Sequence, residues 1–268
     1  MNDPLLQSMV SIAEAAGEVL LAAYRREGLV VDWKIDRSPV TAADRASHEL
    51  IDAALRGLGQ DWPVLSEEGD IPEWDIRREW PCYWLVDPLD GTREFMEGTG
   101  DFAVHIALIE AGLPVMGVVY QPARRRCWSG QPGVGAWRRD GDAAWQSLVT
   151  RPVGERLTVL GSRYRPGKNW SAVLARLNEA LPVGETRYGG SVKYCHIASG
   201  EADVYPCLVP VCEWDTAAPQ AVLEGAGGVV RDAAHQPLGY NRKPALQQPH
   251  FYAAGDPEWP WQRHLSLS

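Results

Sequence analysis

The hexapeptide Asp87-Pro88-Leu89-Asp90-Gly91-Thr92 places two carboxylates three positions apart on a stiff turn. An apolar stretch, Trp84-Leu85-Val86, delivers Asp87 from what reads as a buried strand. Pro88 fixes its own φ and offers no N–H, while Gly91 can adopt a backbone conformation that other residues resist. Carboxylates held this close suit hard divalent cations. Magnesium in particular prefers oxygen ligands in near-octahedral geometry and keeps several waters. The Leu89 carbonyl is a further candidate oxygen ligand. Thr92 and the residues after it would open a helix, whose N-terminal N–H groups favour a phosphate. Taken alone, the same hexapeptide also reads as an Asp-rich turn that only caps a helix.

Four further stretches carry weaker signals. Ser66-Glu67-Glu68 pairs two glutamates after a short apolar run; alone it is a solvated loop, and Glu68 could share any role given to Glu67. In Ser38-Pro39-Val40-Thr41-Ala42-Ala43-Asp44, Asp44 in a first helical turn is explained by the macrodipole. Glu213-Trp214-Asp215-Thr216-Ala217-Ala218 puts Asp215 at another helix start, by default as a cap. Gly189-Gly190-Ser191-Val192-Lys193 is a glycine turn opening a helix. Its Ser191 hydroxyl and Lys193 ammonium could hold a second anion, or Lys193 could simply be exposed. None of the four is specific alone; their joint occurrence in this order is what carries weight.

The elements that must position these residues are legible as periodicities. Asp3-Pro4 reads as a helix start, with Leu5, Leu6, Met9, Val10, Ala13, Ala16, Val19, Leu20 and Ala23 at helical spacing behind it and Gly28 as its stop. A second helix should begin at Thr41, with Leu50, Ile51, Ala54 and Leu55 on its apolar face. Strands are expected at 63–65, 83–86, 102–109 and 115–120, the last two as a hairpin, with 127–129 and 135–138 extending the sheet. The stretch 141–155 is the least patterned interior segment, so a boundary is placed there. This gives an α+β lobe over 1–150 and an α/β lobe over 151–268, in which strand and helix signals alternate.

Composition narrows the function. The chain has 268 residues, 45% apolar and 23% charged, with a net charge of −9. Arg124-Arg125-Arg126 is a short basic cluster, and neutralising a nucleic-acid polymer takes a broad basic surface. A small anionic substrate stays compatible, because bound cations reverse the local field. Five cysteines without a CxxC pair read as free thiols in a reducing compartment. Six scattered histidines lack zinc-site spacing, and each is read as structural or superficial. The N-terminus carries Asp3, Glu14 and Glu18 rather than a basic region followed by an apolar stretch. No apolar run is expected to reach the roughly 18 residues that span a bilayer, so a cytoplasmic protein is expected.

The chain resembles the inositol monophosphatase superfamily and, within it, the bacterial 3'(2'),5'-bisphosphate nucleotidase family. The resemblance rests on SPVTAAD (38–44), VLSEE (64–68), YWLVDPLDGTREF (83–95), HIALIEAGLPVMGVVYQPA (105–123), GGSVKYC (189–195) and WDTAAPQAVLEGAGG (214–228). Arg93-Glu94-Phe95 and the GGSVK turn favour the nucleotidase branch, although Arg93 stands where that family commonly has Lys. The resemblance implies a layered αβαβα sugar-phosphatase fold of two lobes, with the site between them. It implies two or three Mg²⁺ ions held by the carboxylates of Glu67, Asp87, Asp90 and Asp215 and the carbonyl of Leu89. Asp44 would accept a hydrogen bond from Thr92, and this pair, with Glu67, would orient the attacking water. Gly91 and Thr92 would contact the scissile phosphate, with Glu67, Leu89, Asp90 and Asp215 lining the same substrate site. Ser191 and Lys193 would lie near the nucleotide's remaining phosphate. The implied reaction is hydrolysis of the 3'-phosphate of adenosine 3',5'-bisphosphate to AMP. Its rivals are an inositol or sugar phosphate monoesterase and a catalytically silent metal-binding scaffold. The resemblance also implies lithium inhibition, and is compatible with a homodimer and with peripheral association at the inner membrane.

Overall fold

The computed structural model describes residues 1–24, 31–33 and 39–267. Gly28 and Ser38 lie outside the described residues. Helix α1 (Pro4–Tyr24) is followed by an antiparallel pair, β1 (Val31–Trp33) and β2 (Pro39–Thr41), then α2 (Ala42–Arg56), β3 (Val64–Ser66), the short α3 (Trp74–Arg77) and β4 (Cys82–Asp90). Next come α4 (Thr92–Met96), β5 (Ala103–Glu110), β6 (Leu113–Gln121), β7 (Arg126–Gln131), β8 (Gly135–Asp140) and β9 (Gln146–Leu148). The rest comprises β10 (Leu157–Ser162), α5 (Trp170–Ala180), β11 (Val183–Tyr188), α6 (Lys193–Ala198), β12 (Val204–Cys207), α7 (Glu213–Gly225), β13 (Val229–Asp232), β14 (Phe251–Ala254) and α8 (Trp261–His264).

Strands β3 to β9 form a seven-stranded sheet in chain order, antiparallel throughout except for the parallel β3–β4 edge pair. The second sheet runs β11-β10-β12-β14-β13; β10 pairs in parallel with β11 and β12, and the remaining pairs are antiparallel. Side-chain alternation along β4 explains the layering. Trp84 and Val86 face α1 and α2, in a cluster with Leu6, Met9, Ala13, Leu20 and Ile51. Tyr83 and Leu85 face the opposite way, into a core shared with α6, α7 and the second sheet. Beyond that sheet, α5 and α8 pack Trp170, Leu177 and Trp261 onto Leu157, Val159 and Val204. The order is therefore α1/α2, sheet, α6/α7, sheet, α5/α8, the αβαβα arrangement that the resemblance implies.

Three differences from the sequence reading have physical reasons. The unpatterned 141–155 stretch contains β9, only three residues long with a polar start, which completes the first sheet. The strand expected to end at Val86 continues to Asp90, with a register shift between Asp87 and Asp90. The expectation that no apolar run reaches bilayer length is overturned by α1. It is long and apolar enough by length and composition, with a mean hydropathy of 1.4. Its stripe of Leu6, Met9, Val10, Ala13, Ala16 and Leu20 is nevertheless buried against the first sheet and α2. Asp3 caps it as read, its Oδ1 accepting the Leu5 N–H at 2.8 Å.

Helix α7 crosses β5, β6 and β7 closely enough to require glycine beneath it. A Cβ on Gly117 would lie 2.4 Å from the Ala218 carbonyl oxygen. This contact lets α7 start directly beside the end of β4, which is what brings Asp215 to the hexapeptide.

Candidate active site

Asp87 and Asp90 stand at the C-terminal end of β4, almost fully buried. Asp87 Oδ1 accepts the Leu89 N–H at 3.0 Å, which folds the turn over its own side chain. Gly91 follows with φ +83, a left-handed conformation that ends the strand and lets α4 begin at Thr92. The Thr92 hydroxyl donates to the Leu89 carbonyl at 3.4 Å. Glu67 follows β3, and its N–H bonds the Val86 carbonyl at 3.2 Å, so the parallel edge strand fixes its height beside Asp87. Asp215 lies in the first turn of α7, where its Oδ2 accepts the Cys212 N–H at 2.6 Å. The cap itself is Cys212; Asp215, three residues on, closes the capping box from inside the helix, and it also stands inside the carboxylate cluster. One carboxylate oxygen from each of Glu67, Asp87 and Asp215 lies within 4.8 Å of the other two.

This concentration of like charge shapes the electrostatics. Burial first, then the charges of Glu67, Asp90 and Asp215, push the Asp87 carboxyl well above the usual carboxylate range. Burial, Asp90 and Glu67 do the same to Asp215. A divalent cation answers both causes at once: it supplies opposite charge and replaces lost solvation with oxygen coordination. The donor set therefore fits a hard divalent cation.

The other expected residues fall around this cluster in different roles. Asp44 is buried in the first turn of α2. Ser191 gives its N–H to Asp90 Oδ2 at 2.6 Å and its hydroxyl to Asp90 Oδ1 at 3.2 Å. Lys193 is buried and donates to the Gly190 carbonyl, with its ammonium 4.8 Å from the Tyr205 ring centre. The glycine turn thus locks Asp90. Arg93 is exposed, stacked 4.0 Å over the Tyr164 ring and paired with Glu97 at 2.8 Å.

Three residues escaped the sequence reading. Ser47, one turn after Asp44 on the same buried face, donates to the Pro88 carbonyl at 3.0 Å and ties α2 to the hexapeptide. Glu94, buried in α4, packs against Gly189 so closely that a Cβ there would meet its Cγ at 2.4 Å. Burial, then Asp90, raises its carboxyl. His105, read as structural, pairs across the ladder with Asp87 and presents Nε2 3.7 Å from Asp90 Oδ2. Burial pushes its imidazole down. The one available signal was a lone polar residue in the apolar run Phe102 to Ile109.

The chain matches the Inositol monophosphatase family over residues 1–261. It is 40% identical over 248 residues to the 3'(2'),5'-bisphosphate nucleotidase CysQ of Escherichia coli strain K12, covering 92% of this chain and 98% of that protein. Among solved structures it is similar to CysQ from Bacteroides thetaiotaomicron, with a TM-score of 0.84 and 35% identity over 94% of this chain and 97% of that one. It is also similar to the extragenic suppressor protein suhB from Bartonella henselae, with a TM-score of 0.79 and 27% identity over 99% of both chains.

Proposed function

The chain belongs to the inositol monophosphatase family, and we propose that it is a magnesium-dependent 3'(2'),5'-bisphosphate nucleotidase, removing the 3'-phosphate of adenosine 3',5'-bisphosphate. The observation that carries the phosphatase chemistry is the convergence of Glu67, Asp87 and Asp215 from three separate elements within 4.8 Å. The nucleotide comes from the likeness to proteins of that named activity.

Glu67, Asp87, Asp90 and Asp215 would hold the ions through their carboxylates, and Leu89 through its carbonyl. Bound Mg²⁺ supplies Lewis acidity and a lowered pKa for water at neutral pH. The chain's own residues orient the reactants. Gly91 and Thr92 border the scissile phosphate at the left-handed turn that opens α4. Thr92, with Asp44 behind it, orients the attacking water, and Asp44 takes up the proton through the threonine hydroxyl. Attack at phosphorus breaks the bond to the 3'-oxygen, which takes a proton from a solvent water and leaves as the 3'-hydroxyl of AMP, while Asp44 returns its proton to solvent. Ser191 acts through Asp90, holding the carboxylate with two hydrogen bonds. All five cysteines are free thiols, in keeping with a reducing compartment such as the cytoplasm.

The test is release of phosphate from adenosine 3',5'-bisphosphate and from inositol 1-phosphate at equal concentrations with Mg²⁺. A kcat/KM at least tenfold higher for the nucleotide is expected. A preference for the inositol phosphate would overturn the substrate assignment and leave the phosphatase chemistry standing.

A further inference from the structure

Behind the carboxylate cluster, β5 turns one nitrogen ligand toward the same two aspartates. The ladder sets His105 opposite Asp87, and the register shift between Asp87 and Asp90 brings Asp90 back to the same imidazole. His105 is 0% exposed. Its Nδ1 lies 3.4 Å from the Trp214 carbonyl, which can only accept, so Nδ1 carries the hydrogen and, in the neutral imidazole, Nε2 keeps a lone pair. That Nε2 has no hydrogen-bond partner. It points at Asp90 Oδ2, 3.7 Å away, an oxygen that already accepts the Ser191 N–H.

Two acceptors facing each other in a buried site repel, and a cation between them would relieve that repulsion. A proton does not bridge them here, because 3.7 Å is beyond hydrogen-bond reach. A metal ion does. Ligand atoms at about 2.0–2.2 Å from one ion stand roughly 3–4 Å from each other. The ligand atoms of Asp87, Asp90 and His105 all lie within 4.8 Å of one another. The contact to the Trp214 carbonyl is the support a metal-bound histidine needs, fixing ring and tautomer through the other nitrogen. Because Trp214 precedes Asp215 in the first turn of α7, one helix start orients ligands on both sides of the cluster.

We propose that His105 Nε2 is a metal ligand. With Asp87 and Asp90 it forms a nitrogen–oxygen subsite for a borderline divalent cation such as Co²⁺ or Zn²⁺, beside the all-oxygen subsite of Glu67, Asp87 and Asp215. Imidazole selects for such ions, whereas Mg²⁺ favours oxygen. The inference rests on the metal-dependent reading above and adds a selectivity to it.

Pulsed electron paramagnetic resonance of the full chain loaded with Mn²⁺ tests it, using protein with natural-abundance and with ¹⁵N-labelled histidine. The expected result is a nitrogen coupling typical of directly bound imidazole that changes with the label. In His105→Gln the coupling should vanish, and Co²⁺ affinity should fall by roughly tenfold or more, with a smaller loss for Mg²⁺. Bound Mn²⁺ without histidine coupling in the wild type, or coupling that survives in His105→Gln, would overturn the proposal and leave the all-oxygen site intact. Failure to bind any divalent cation would instead remove the metal-dependent reading itself. Should His105→Gln not fold, Co²⁺ bound to a folded His105→Cys should show a sulfur-to-cobalt charge-transfer band absent from the wild type; its absence counts against the proposal.

Discussion

Glu213 and Asp215 leave the same first turn of α7 and meet opposite surroundings. Glu213, 1% exposed, faces partners that the chain itself supplies. Its Oε2 accepts the Asn241 N–H at 2.8 Å. The Asn241 side chain takes a hydrogen bond from Arg77 Nη1 and returns one to the Arg77 carbonyl, both at 2.5 Å. Arg77 also donates to the Pro244 carbonyl and is itself buried. Asp215 faces Asp87 and Glu67, which share its charge. One carboxylate is built into the fold; the other is held for something that arrives. A buried carboxyl bonded by its neighbours is fixed in place by the fold, whereas like charges crowded together lower stability and retain binding energy for a cation.

The largest expected effect breaks the Asp215 side of this contrast. Asp215→Asn keeps an oxygen for the Cys212 N–H, so the cap survives, but it removes a ligand charge. Turnover should fall a thousandfold or more, about 4 kcal/mol of transition-state stabilisation. In chelator, the variant should melt at or above the wild-type temperature, because repulsion is relieved. Steady-state kinetics and a melting curve in EDTA check both halves.

Arg77→Ala breaks the opposite side. Removing the guanidinium deletes its buried bonds to Asn241 and the Pro244 carbonyl and a positive charge that favours ionised Glu213, a loss on the order of 3 kcal/mol. Denaturant unfolding should show that loss while kcat, per folded molecule, stays within a few-fold of wild type. Equal damage from this variant and Asp215→Asn in both assays would erase the distinction.

The pH dependence sharpens the same contrast. Burial pushes the Glu213 carboxyl from 4.5 up to about 7, against the pull of the Asn241 amide and Arg77. The folded state therefore holds its proton more tightly than the unfolded chain. Stability from this group is full below about 4.5 and lost as pH rises to about 7, on the order of 3 kcal/mol at most. Metal-free protein should melt several degrees lower at pH 7.5 than at pH 5, and Glu213→Gln should flatten part of that slope. A slope unchanged in Glu213→Gln would show that the carboxyl does not titrate there.

The smallest effect concerns the link between α2 and the hexapeptide. Ser47→Ala deletes the bond to the Pro88 carbonyl, with an expected loss of about 1 kcal/mol in stability and a several-fold lower kcat. An unchanged kcat would free the hexapeptide from α2.

Legibility from the sequence followed locality. Asp87 and Asp90 belong to one turn, so their pairing and its metal chemistry could be read from six residues. Asp215 was readable as a helix start, because capping is local, and its second position beside Glu67 came only through resemblance. Strand β4 was legible as an apolar run, but its continuation to Asp90 was not, since the shift there depends on the partner strand. His105 was passed over for the same reason: which residue it faces is a property of the register. Strands β9 and β14 were missed because three or four residues carry too little periodicity. For Ser191 and Lys193 the glycine turn suggested an anion site, and the fold adds bonds to Asp90 and the Gly190 carbonyl that no local pattern encodes.

The central claim is that Asp215 belongs to a cluster completed by a divalent cation. Melting temperature in EDTA and in saturating Mg²⁺ tests it most directly, for wild type and Asp215→Asn together. Ligand linkage predicts a gain of about 2.7 kcal/mol at a hundred times the dissociation constant, several degrees for the wild type, and a much smaller rise for Asp215→Asn. A wild type that melts at one temperature in both solutions, while still hydrolysing adenosine 3',5'-bisphosphate in EDTA, would contradict it.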